Sequence, residues 1–228
     1  MLYGQTPKWI DWLDRRMPGL GIPNLALYLI GAQACGFLAI LANPSIGDLL
    51  ELDPSLVLQG EVWRLVTFLA IPVASGALWM VFALYFLYFI INGLEEAWGE
   101  FRTTLYVLAA VLLTIAFAFV FHVRIGASVE LGTTLFLAAA TISPDFQILL
   151  FFVLPVKMKW LAWLTVAYTV WLLIFSYWLG RLYLLTMYAN YLLFFGPYFV
   201  GQVRAFYRRK KFQQEVAAGR VHEDESTE

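Results

Sequence analysis

Charged residues, cysteine and histidine are all scarce in this chain of 228 residues. Only 14% of the residues are charged and 61% are apolar, whereas a soluble domain is about a quarter charged and about half apolar. The single cysteine, Cys35, excludes an internal disulfide and a cysteine metal cluster. The two histidines, His122 and His222, lie far apart in the sequence, so we expect no metal site and no cofactor. The composition predicts an integral membrane protein and excludes nucleic-acid modules, disordered chains and secreted disulfide scaffolds.

Residues 1–22 do not have the pattern of a signal peptide, because charges interrupt them and no cleavage site follows an apolar core. Thr6-Pro7 is typical of a helix start. One face of that helix would carry Trp9, Ile10, Leu13 and Met17. We therefore expect a short amphipathic helix on the cytoplasmic side, lying along the headgroup layer, with a frayed tail as the alternative.

Six apolar segments between residues 23 and 203 predict six membrane spans. They are Leu25–Leu41, Leu78–Gly93, Thr103–Phe121, Leu131–Ile142, Trp160–Leu179 and Leu182–Val203. The fourth is short, at roughly 18 Å of helix against roughly 30 Å of hydrocarbon, so the bilayer would thin around it or protein would surround it.

The segments between the predicted spans carry turn signals. The charge-free stretch before the second span is too long for one straight helix, and we expect Pro72 and residues 74–76 to divide it. Val66–Val73 would then be a re-entrant or interfacial piece. Ser143-Pro144-Asp145 predicts a turn after the fourth span, and Phe146–Pro155 is short enough to be interfacial. Gly180-Arg181 is expected to form the turn between the last two spans.

The basic residues predict the orientation of the chain. Six spans put both termini on one side, and that side then holds all of the 15 Lys and Arg residues except Arg64, Arg124 and Arg181. The positive-inside rule therefore makes the termini cytoplasmic, whereas five or seven spans would separate the two basic ends. Residues 204–228 would be a cytoplasmic tail, basic and then acidic. Its basic cluster, which we expect to contact anionic lipid headgroups, comprises Arg204, Arg208, Arg209, Lys210 and Lys211.

Two local patterns interrupt the apolar background: GEVWRLVT at residues 60–67 and GLEEAWGEFR at residues 93–102. Arg64, beside Trp63, could donate hydrogen bonds to the backbone carbonyls of an irregular loop; an ordinary interfacial Trp-Arg anchor is the alternative. Glu95 and Glu96 could accept hydrogen bonds from backbone donors at the start of the third span, and Gly99 permits a tight turn. A solvated inter-helix loop is the alternative for this second pattern.

Together, in this order, the two patterns resemble the rhomboid superfamily of six-span intramembrane proteins, over roughly residues 23–203. The residues that carry the resemblance are Gly60, Trp63, Arg64, Glu95, Glu96, Trp98 and Gly99. The Pro144 turn and the stretch 149–160 also look like the rhomboid segment between spans four and five. The resemblance implies an all-α bundle of six transmembrane helices with both termini cytoplasmic.

In active rhomboids the resemblance would imply a serine protease, with a Gly-x-Ser-Gly motif opening the fourth span and a histidine on the sixth. Here residues 126–129 read Gly-Ala-Ser-Val, so Ser128 lacks the following glycine, and the sixth span contains no histidine. His222 lies in the tail. His122, six residues before Ser128, is a weak candidate base, and an interfacial polar residue is the simpler interpretation.

The missing histidine favours a rhomboid-like pseudoprotease, similar to the inactive rhomboid relatives and derlins, that binds transmembrane segments of client proteins without cleaving them. Asn190 is a candidate client contact in the sixth span, with a packing contact inside the bundle as the alternative. Gly196-Pro197 permits a kink there. An active protease using Ser128 is the first alternative function. A transporter or channel is the second, although the charges lie almost entirely in loops. We expect the lipid bilayer as a partner and no nucleic acid, in a prokaryotic inner membrane or, alternatively, the endoplasmic reticulum.

Overall fold

A computed structural model describes residues 8–17, 19–74, 76–126, 129–150 and 154–225. Most of these residues are helical. The helices are α1 Lys8–Arg16, α2 Leu25–Ala42, α3 Ile46–Leu50, α4 Pro54–Leu58, α5 Arg64–Thr67, α6 Ala77–Trp98, α7 Glu100–Phe121, α8 Val129–Ile142, α9 Met158–Phe175 and α10 Trp178–Glu225. A 3₁₀ turn spans Phe68–Ala70, and strands β1, Gln147–Leu150, and β2, Leu154–Lys157, form an antiparallel hairpin.

Four helices, α2, α6, α7 and α9, are long and apolar enough to cross a membrane. Helix α8 is apolar but has only 14 residues. Apolar side chains cover much of the outer surface: Trp163 and Leu164 of α9, for example, are 71% and 68% exposed. Soluble proteins rarely expose apolar patches of this extent to water. These helices therefore confirm the prediction of a membrane protein.

Helix α7 lies at the centre of the bundle and packs against α6, α8 and α10. Tyr106 of α7 is fully buried and donates a hydrogen bond from its hydroxyl to the carbonyl of Thr134 in α8, at 3.1 Å. The backbone carbonyl of Tyr106 accepts a hydrogen bond from Nδ2 of Asn190 in α10, at 3.2 Å. One residue thus joins three helices through hydrogen bonds inside the core.

The predicted interruption before the second span is present, and a glycine lets it pack closely. Residues 64–70 form α5 and the 3₁₀ turn, and α6 begins only at Ala77. A Cβ atom on Gly36 of α2 would lie 1.9 Å from the carbonyl oxygen of Ala70. Because only glycine permits this approach, the 3₁₀ turn lies directly against the backbone of α2.

Helix α1 is present as predicted, so the frayed-tail alternative is wrong. It packs against the bundle through Ile10, which is fully buried, and through the Trp9 ring, which makes an edge contact with Phe194 at 5.5 Å. An ion pair joins Asp11 to the buried Arg102 of α7, with Nη2 and Oδ1 2.8 Å apart. One face of α1 therefore belongs to the protein core.

The turn predicted at Gly180-Arg181 is wrong, because it lies four residues earlier in the chain. Helix α9 ends at Phe175, Ser176 is extended with φ −75° and ψ 155°, and α10 already starts at Trp178. Arg181 is helical, and its guanidinium donates to the carbonyl of Ile174 at 2.6 Å. The arginine satisfies one of the open carbonyls at the carboxyl end of α9.

The described structure is mostly helical, in agreement with the all-α prediction, but the segment after α8, which we expected only as an interfacial piece, contains two short strands. The turn at Ser143-Pro144-Asp145 is present as predicted, but strands then pair from Gln147 with Lys157 to Leu150 with Leu154. Asp145 beside the hairpin pairs with the Lys159 ammonium at 3.0 Å, and this contact holds the pKa of its carboxyl below the usual range. The ladder gives this short segment the backbone partners that a helix of its length would lack.

Candidate functional site

The first sequence motif holds the connection between α2 and α6 in place. The Arg64 side chain is buried, and its Nη1 donates to the carbonyls of Asp48 and Glu51, at 2.6 and 2.9 Å. Its Nε pairs with the carboxylate of Glu61 at 2.6 Å. The carbonyl contacts expected of Arg64 are therefore confirmed. Its neighbour Trp63 is 51% exposed, and Gly60 adopts φ 111°, which favours glycine.

This connection also reaches the segment between α7 and α8. Leu52 and Ile125 exchange backbone hydrogen bonds at 3.0 Å, and the buried carboxylate of Asp53 pairs with Arg124 at 2.5 Å. The Ser55 hydroxyl, above all, holds the pKa of Asp53 below its usual range, and Arg124 acts in the same direction. The connection and the segment that follows α7 are thus one hydrogen-bonded unit.

Of the residues predicted for serine protease chemistry, the structure describes His122 but not Ser128. Ser128 falls outside the described residues, as does Ala127. His122 is exposed at the carboxyl end of α7, where φ is 52°. Gly126 lies beside the connection, since a Cβ there would be 3.0 Å from Oε1 of Glu51. A pairing of Ser128 with His122 stays a prediction.

Within the second motif, Glu95 joins α6 to α2 rather than to α7. Oε1 of Glu95 accepts a hydrogen bond from the backbone nitrogen of Leu25, at 2.9 Å, so our expectation that it would accept from the start of the third span is wrong. Leu25 is the first residue of α2 and has an open backbone donor, which a carboxylate satisfies well. Glu96 is exposed. Gly99, with φ 94°, makes the predicted tight turn into α7.

Trp98, in the same motif, belongs to an aromatic cluster. Its ring is buried against Tyr106, Phe194 and Phe195, with centroid distances between 5.0 and 6.2 Å. The motif therefore fixes the carboxyl end of α6 relative to the first part of α7 and the interior of α10. This is a structural role for Trp98 in the described structure.

Asn190 lies inside the bundle and not on its surface. It is 1% exposed, its Nδ2 is bonded to Tyr106, and its Oδ1 has no partner in the part of the chain that the structure describes. Met187, one turn earlier, is also buried and accepts a hydrogen bond from Thr114 of α7 at 3.5 Å. A client segment would reach Asn190 only if α7 and α10 separated.

The start of α8 faces α10 through side chains that sequence reasoning passed over. The carboxylate of Glu130, in the first turn of α8, interacts with the hydroxyl of Tyr183. That hydroxyl also interacts with Thr114 of α7. At this end of the bundle, an acid and a phenol connect α8 with α10 and, through Thr114, with α7.

A lateral cavity of about 390 Å³ lies between α2, α6, α8 and α9. Helices α6 and α9 both pack against α8, but direct contact between them is sparse in the described part of the chain. The wall is apolar, with Phe86 and Ile90 from α6, Phe136 from α8 and Leu164 from α9. Gly132 of α8 also lines it, and a Cβ there would meet no atom within 4 Å.

One amide, Gln33 of α2, also lines this lateral cavity. It is 6% exposed, and its Oε1 has no hydrogen-bond partner among the described residues. Sequence reasoning missed Gln33 because it carries no charge. The signal was present: Gln33 is the only amide side chain between Leu25 and Ala42.

The basic cluster lies on α10, which continues as a helix to Glu225. Its five side chains, Arg204, Arg208, Arg209, Lys210 and Lys211, are all exposed. In the described ranges, no group of three or more His, Cys, Asp and Glu side chains could hold a metal ion. In comparisons with known proteins, no family model, no curated protein and no solved structure matches the chain.

Proposed function

We propose that this chain is a rhomboid-like pseudoprotease that binds transmembrane segments of client membrane proteins without cleaving them. The proposal rests on the two rhomboid-like motifs, on a sixth apolar segment without histidine, and on the lateral cavity. The cavity carries the argument, because it is the feature that offers a place for another segment.

The lateral cavity suits a partner that arrives within the membrane. Helices α6 and α9 flank it, and its wall consists of side chains such as Phe86 and Leu164. An apolar opening between two loosely associated helices accepts the side chains of a third helix by van der Waals packing, which drives helix association in lipid. Water-soluble substrates gain nothing from such a wall.

The short helix α8 favours the same interpretation. At 14 residues it is about 21 Å long, whereas the hydrocarbon layer is about 30 Å thick. If α8 is the fourth of six spans, the bilayer around it must thin or protein must surround it. A thinner bilayer lowers the cost of exposing the polar backbone of a client.

Six spans with both termini cytoplasmic complete the proposal. The helices α2, α6, α7, α8 and α9 and the first part of α10 would be the spans, and the basic cluster on α10 would contact anionic headgroups on the cytoplasmic side. A prokaryotic inner membrane is the proposed location. The residues that hold the fold in this scheme, Arg64, Glu95 and Trp98, belong to the two motifs.

The experiment that tests this function combines cleavage with capture. The purified protein is reconstituted in liposomes with a fluorescent single-span reporter that carries a photo-crosslinker, beside an active rhomboid as the positive control. We expect crosslinking without cleavage. Cleavage that Ser128→Ala abolishes would establish the active-protease alternative instead, and the absence of crosslinking would refute client binding.

A matched pair of glycine variants tests whether the client occupies the lateral cavity. Gly132→Leu places a side chain in open space inside the cavity, so we expect crosslinking to fall while the fold is kept or strengthened. Gly31→Leu adds the same side chain to α2 at an exposed site, also without contact within 4 Å, and should leave crosslinking unchanged. Equal crosslinking by both variants would place the client elsewhere.

A further inference from the structure

We propose that the chain binds one anionic phospholipid in a groove between α9 and α10, with an acyl chain along the groove and the phosphate group beside Lys159. Leu164 of α9 lines the lateral cavity and Val166 lines this groove, so the two sites lie on different faces of the helix. The inference therefore does not depend on client binding. The α9–α10 groove is lined by Leu137 of α8, Val166 and Val170 of α9, and Leu185, Leu192 and Phe199 of α10, among others.

The α9–α10 groove is open to the surroundings of the bundle. Its rim includes Val170 of α9 and Leu185 and Leu192 of α10, which are all exposed. Its floor includes Leu137 of α8, which is buried. Because the bundle belongs to a membrane protein, lipids surround this exposed rim. An acyl chain can therefore enter the groove directly from the bilayer.

The wall of the groove is apolar. The hydroxyls of Thr169 and Tyr188 bond to each other, and that of Tyr191 bonds to the hydroxyl of Thr141 in α8, at 2.6 Å. The polar side chains of the described wall therefore already have partners. A hydrocarbon chain leaves no polar group of its own unpaired there, whereas a polar ligand would lose hydrogen bonds without replacing them.

The dimensions of the groove fit an acyl chain and are too small for a helix. The groove extends along α10 from Leu184 to Phe199, which is about 22 Å at the usual rise. A volume of about 380 Å³ over this length corresponds to a mean cross-section on the order of 20 Å². A helix, with a diameter of about 10 Å, needs roughly 80 Å². A single hydrocarbon chain is therefore the membrane component that the groove accommodates.

Lys159 lies at one end of the groove. It precedes Val166 by seven residues, or two helical turns, so both residues lie on the same face of α9. The bond between Thr169 and Tyr188 fixes the register of the antiparallel pair α9 and α10. Lys159 is ten residues from this bond along α9, and Phe199 is eleven residues from it along α10. Lys159 is therefore level with Phe199, where the groove ends.

This end of the groove carries a net positive charge. The ammonium groups of Lys157 and Lys159 lie 3.6 and 3.0 Å from Oδ1 of Asp145. Two cations thus share a single carboxylate, and one positive charge remains within the group. All three side chains are partly or largely exposed, so a phosphate group can approach them. Basic side chains at the membrane surface attract anionic lipids, which makes a phospholipid with a net negative charge the matching ligand.

The test measures lipid binding to the full chain in detergent by native mass spectrometry. Phosphatidylglycerol is the anionic probe, and phosphatidylcholine with the same acyl chains is the neutral comparison. We expect the first phosphatidylglycerol to bind about fivefold more tightly than phosphatidylcholine, since one basic side chain near the surface contributes about this factor.

Lys159→Gln should make the two lipids bind equally, because it leaves the carboxylate of Asp145 with a single ammonium partner. Lys159→Arg keeps the charge and should keep the preference. Arg204→Gln is the matched control. Arg204 is exposed and follows Phe199 by five residues, on a different face of α10, so its loss should leave the preference unchanged.

Filling the groove tests the place of the acyl chain. Phosphatidylglycerol with a diazirine at the end of one acyl chain should crosslink to the tryptic fragments 160–181 and 182–204, which carry the two walls. Val170→Phe adds bulk at the rim and should lower this crosslinking severalfold. Ile174→Phe, at an exposed site of α9 outside the groove, should leave it unchanged.

Three outcomes would overturn the lipid site. The first is equal binding of the two lipids, or a preference that Arg204→Gln removes as fully as Lys159→Gln, since the charge of the whole surface would then explain it. The second is equal crosslinking in both phenylalanine variants. The third is a dimer that Val170→Phe dissociates, which would assign the groove to a second copy of the chain. None of them bears on client binding in the lateral cavity.

Discussion

Arg64 holds three parts of the α2–α6 connection at once, through the carbonyls of Asp48 and Glu51 and the carboxylate of Glu61. This role could be predicted from sequence, because an arginine beside a tryptophan at a membrane boundary has five donors and few other uses for them. Which carbonyls it contacts could not be predicted, since that depends on how residues 48–51 fold back.

Arg64→Met should lower the free energy of unfolding by about 2–4 kcal/mol, because it leaves buried carbonyls unpaired. Arg64→Lys should lose less, since it keeps the charge but not the planar fork. Unfolding by denaturing detergent in mixed micelles measures both. Arg181→Met is the matched control: Arg181 also donates to a carbonyl but is exposed, and should cost about 1 kcal/mol or less. Similar losses at both sites would contradict the role of Arg64.

Asp53 makes stability depend on pH. Its folded pKa lies below the usual value of about 3.9, so its ionised form stabilises the fold above that value. The contribution is lost as the pH falls through the folded pKa. Melting temperatures of the unchanged protein should therefore fall below about pH 5, and more gently in Asp53→Asn. Ser55→Ala should bring the folded pKa of Asp53 closer to its usual value, because the Ser55 hydroxyl is the main cause of the low pKa. The melting temperature of this variant should therefore fall less at low pH than that of the unchanged protein. Superimposable curves for all three proteins would refute this.

Gln33 and Glu95 mark the limit of residue-level prediction. Both are polar residues in apolar helices, visible in the sequence, but their roles depend on which helices become neighbours. Glu95 contacts α2 because the amino end of α2 lies beside the carboxyl end of α6. Gln33 belongs to the lining of a cavity that exists because α6 and α9 stay apart over α8. Neither arrangement has a local signal in the chain.

The apolar helices themselves were predictable to within a few residues, since length and lack of charge identify them. The hairpin β1–β2 was not, because an apolar run of about ten residues has no period that distinguishes strand from interfacial coil. The α9–α10 turn was misplaced for a related reason: glycine suggested a break, but Arg181 supports a helix around it.

Helix α1 is the element whose environment differs most from the expectation of a helix lying along the headgroups. We expect Ile10→Ala to cost about 2–4 kcal/mol, because it leaves a cavity at a fully buried site. Trp12→Ala, at a site 57% exposed, is the control and should cost much less. Thermal unfolding in detergent measures the stability.

Trypsin cleavage after Arg15 and Arg16 should become faster in the Ile10 variant if α1 detaches. Unchanged cleavage and unchanged stability would mean that α1 is not docked.

At the scale of the whole molecule, the proposed six-span topology predicts which connections face each side of the membrane. Cys35→Ser provides a cysteine-free chain, into which single cysteines are placed at residues 45, 143, 177 and 213. An impermeant maleimide added to intact cells should label positions 45 and 177. Positions 143 and 213 should react only after the membrane is opened. Position 143 tests whether α8 spans the membrane. Labelling of this position from outside would mean that the 14-residue helix does not cross the bilayer.

Helix α10 is a single helix of 48 residues, about 72 Å long at the usual rise. Its core residues, from Leu184 to Phe195, are clamped between α7, α8 and α9. Pro197 follows at once and removes one backbone hydrogen bond at that point. Mechanically, α10 is held at one end by α7, α8 and α9 and projects from them at the other. Its weakest point, Pro197, lies where these contacts end. A force on the basic cluster is therefore transmitted first to Pro197 and to its neighbours Phe194 and Phe195. These two rings touch Tyr106 and Trp98. A movement of the carboxyl-terminal part of α10 is thus transmitted directly to the centre of the bundle.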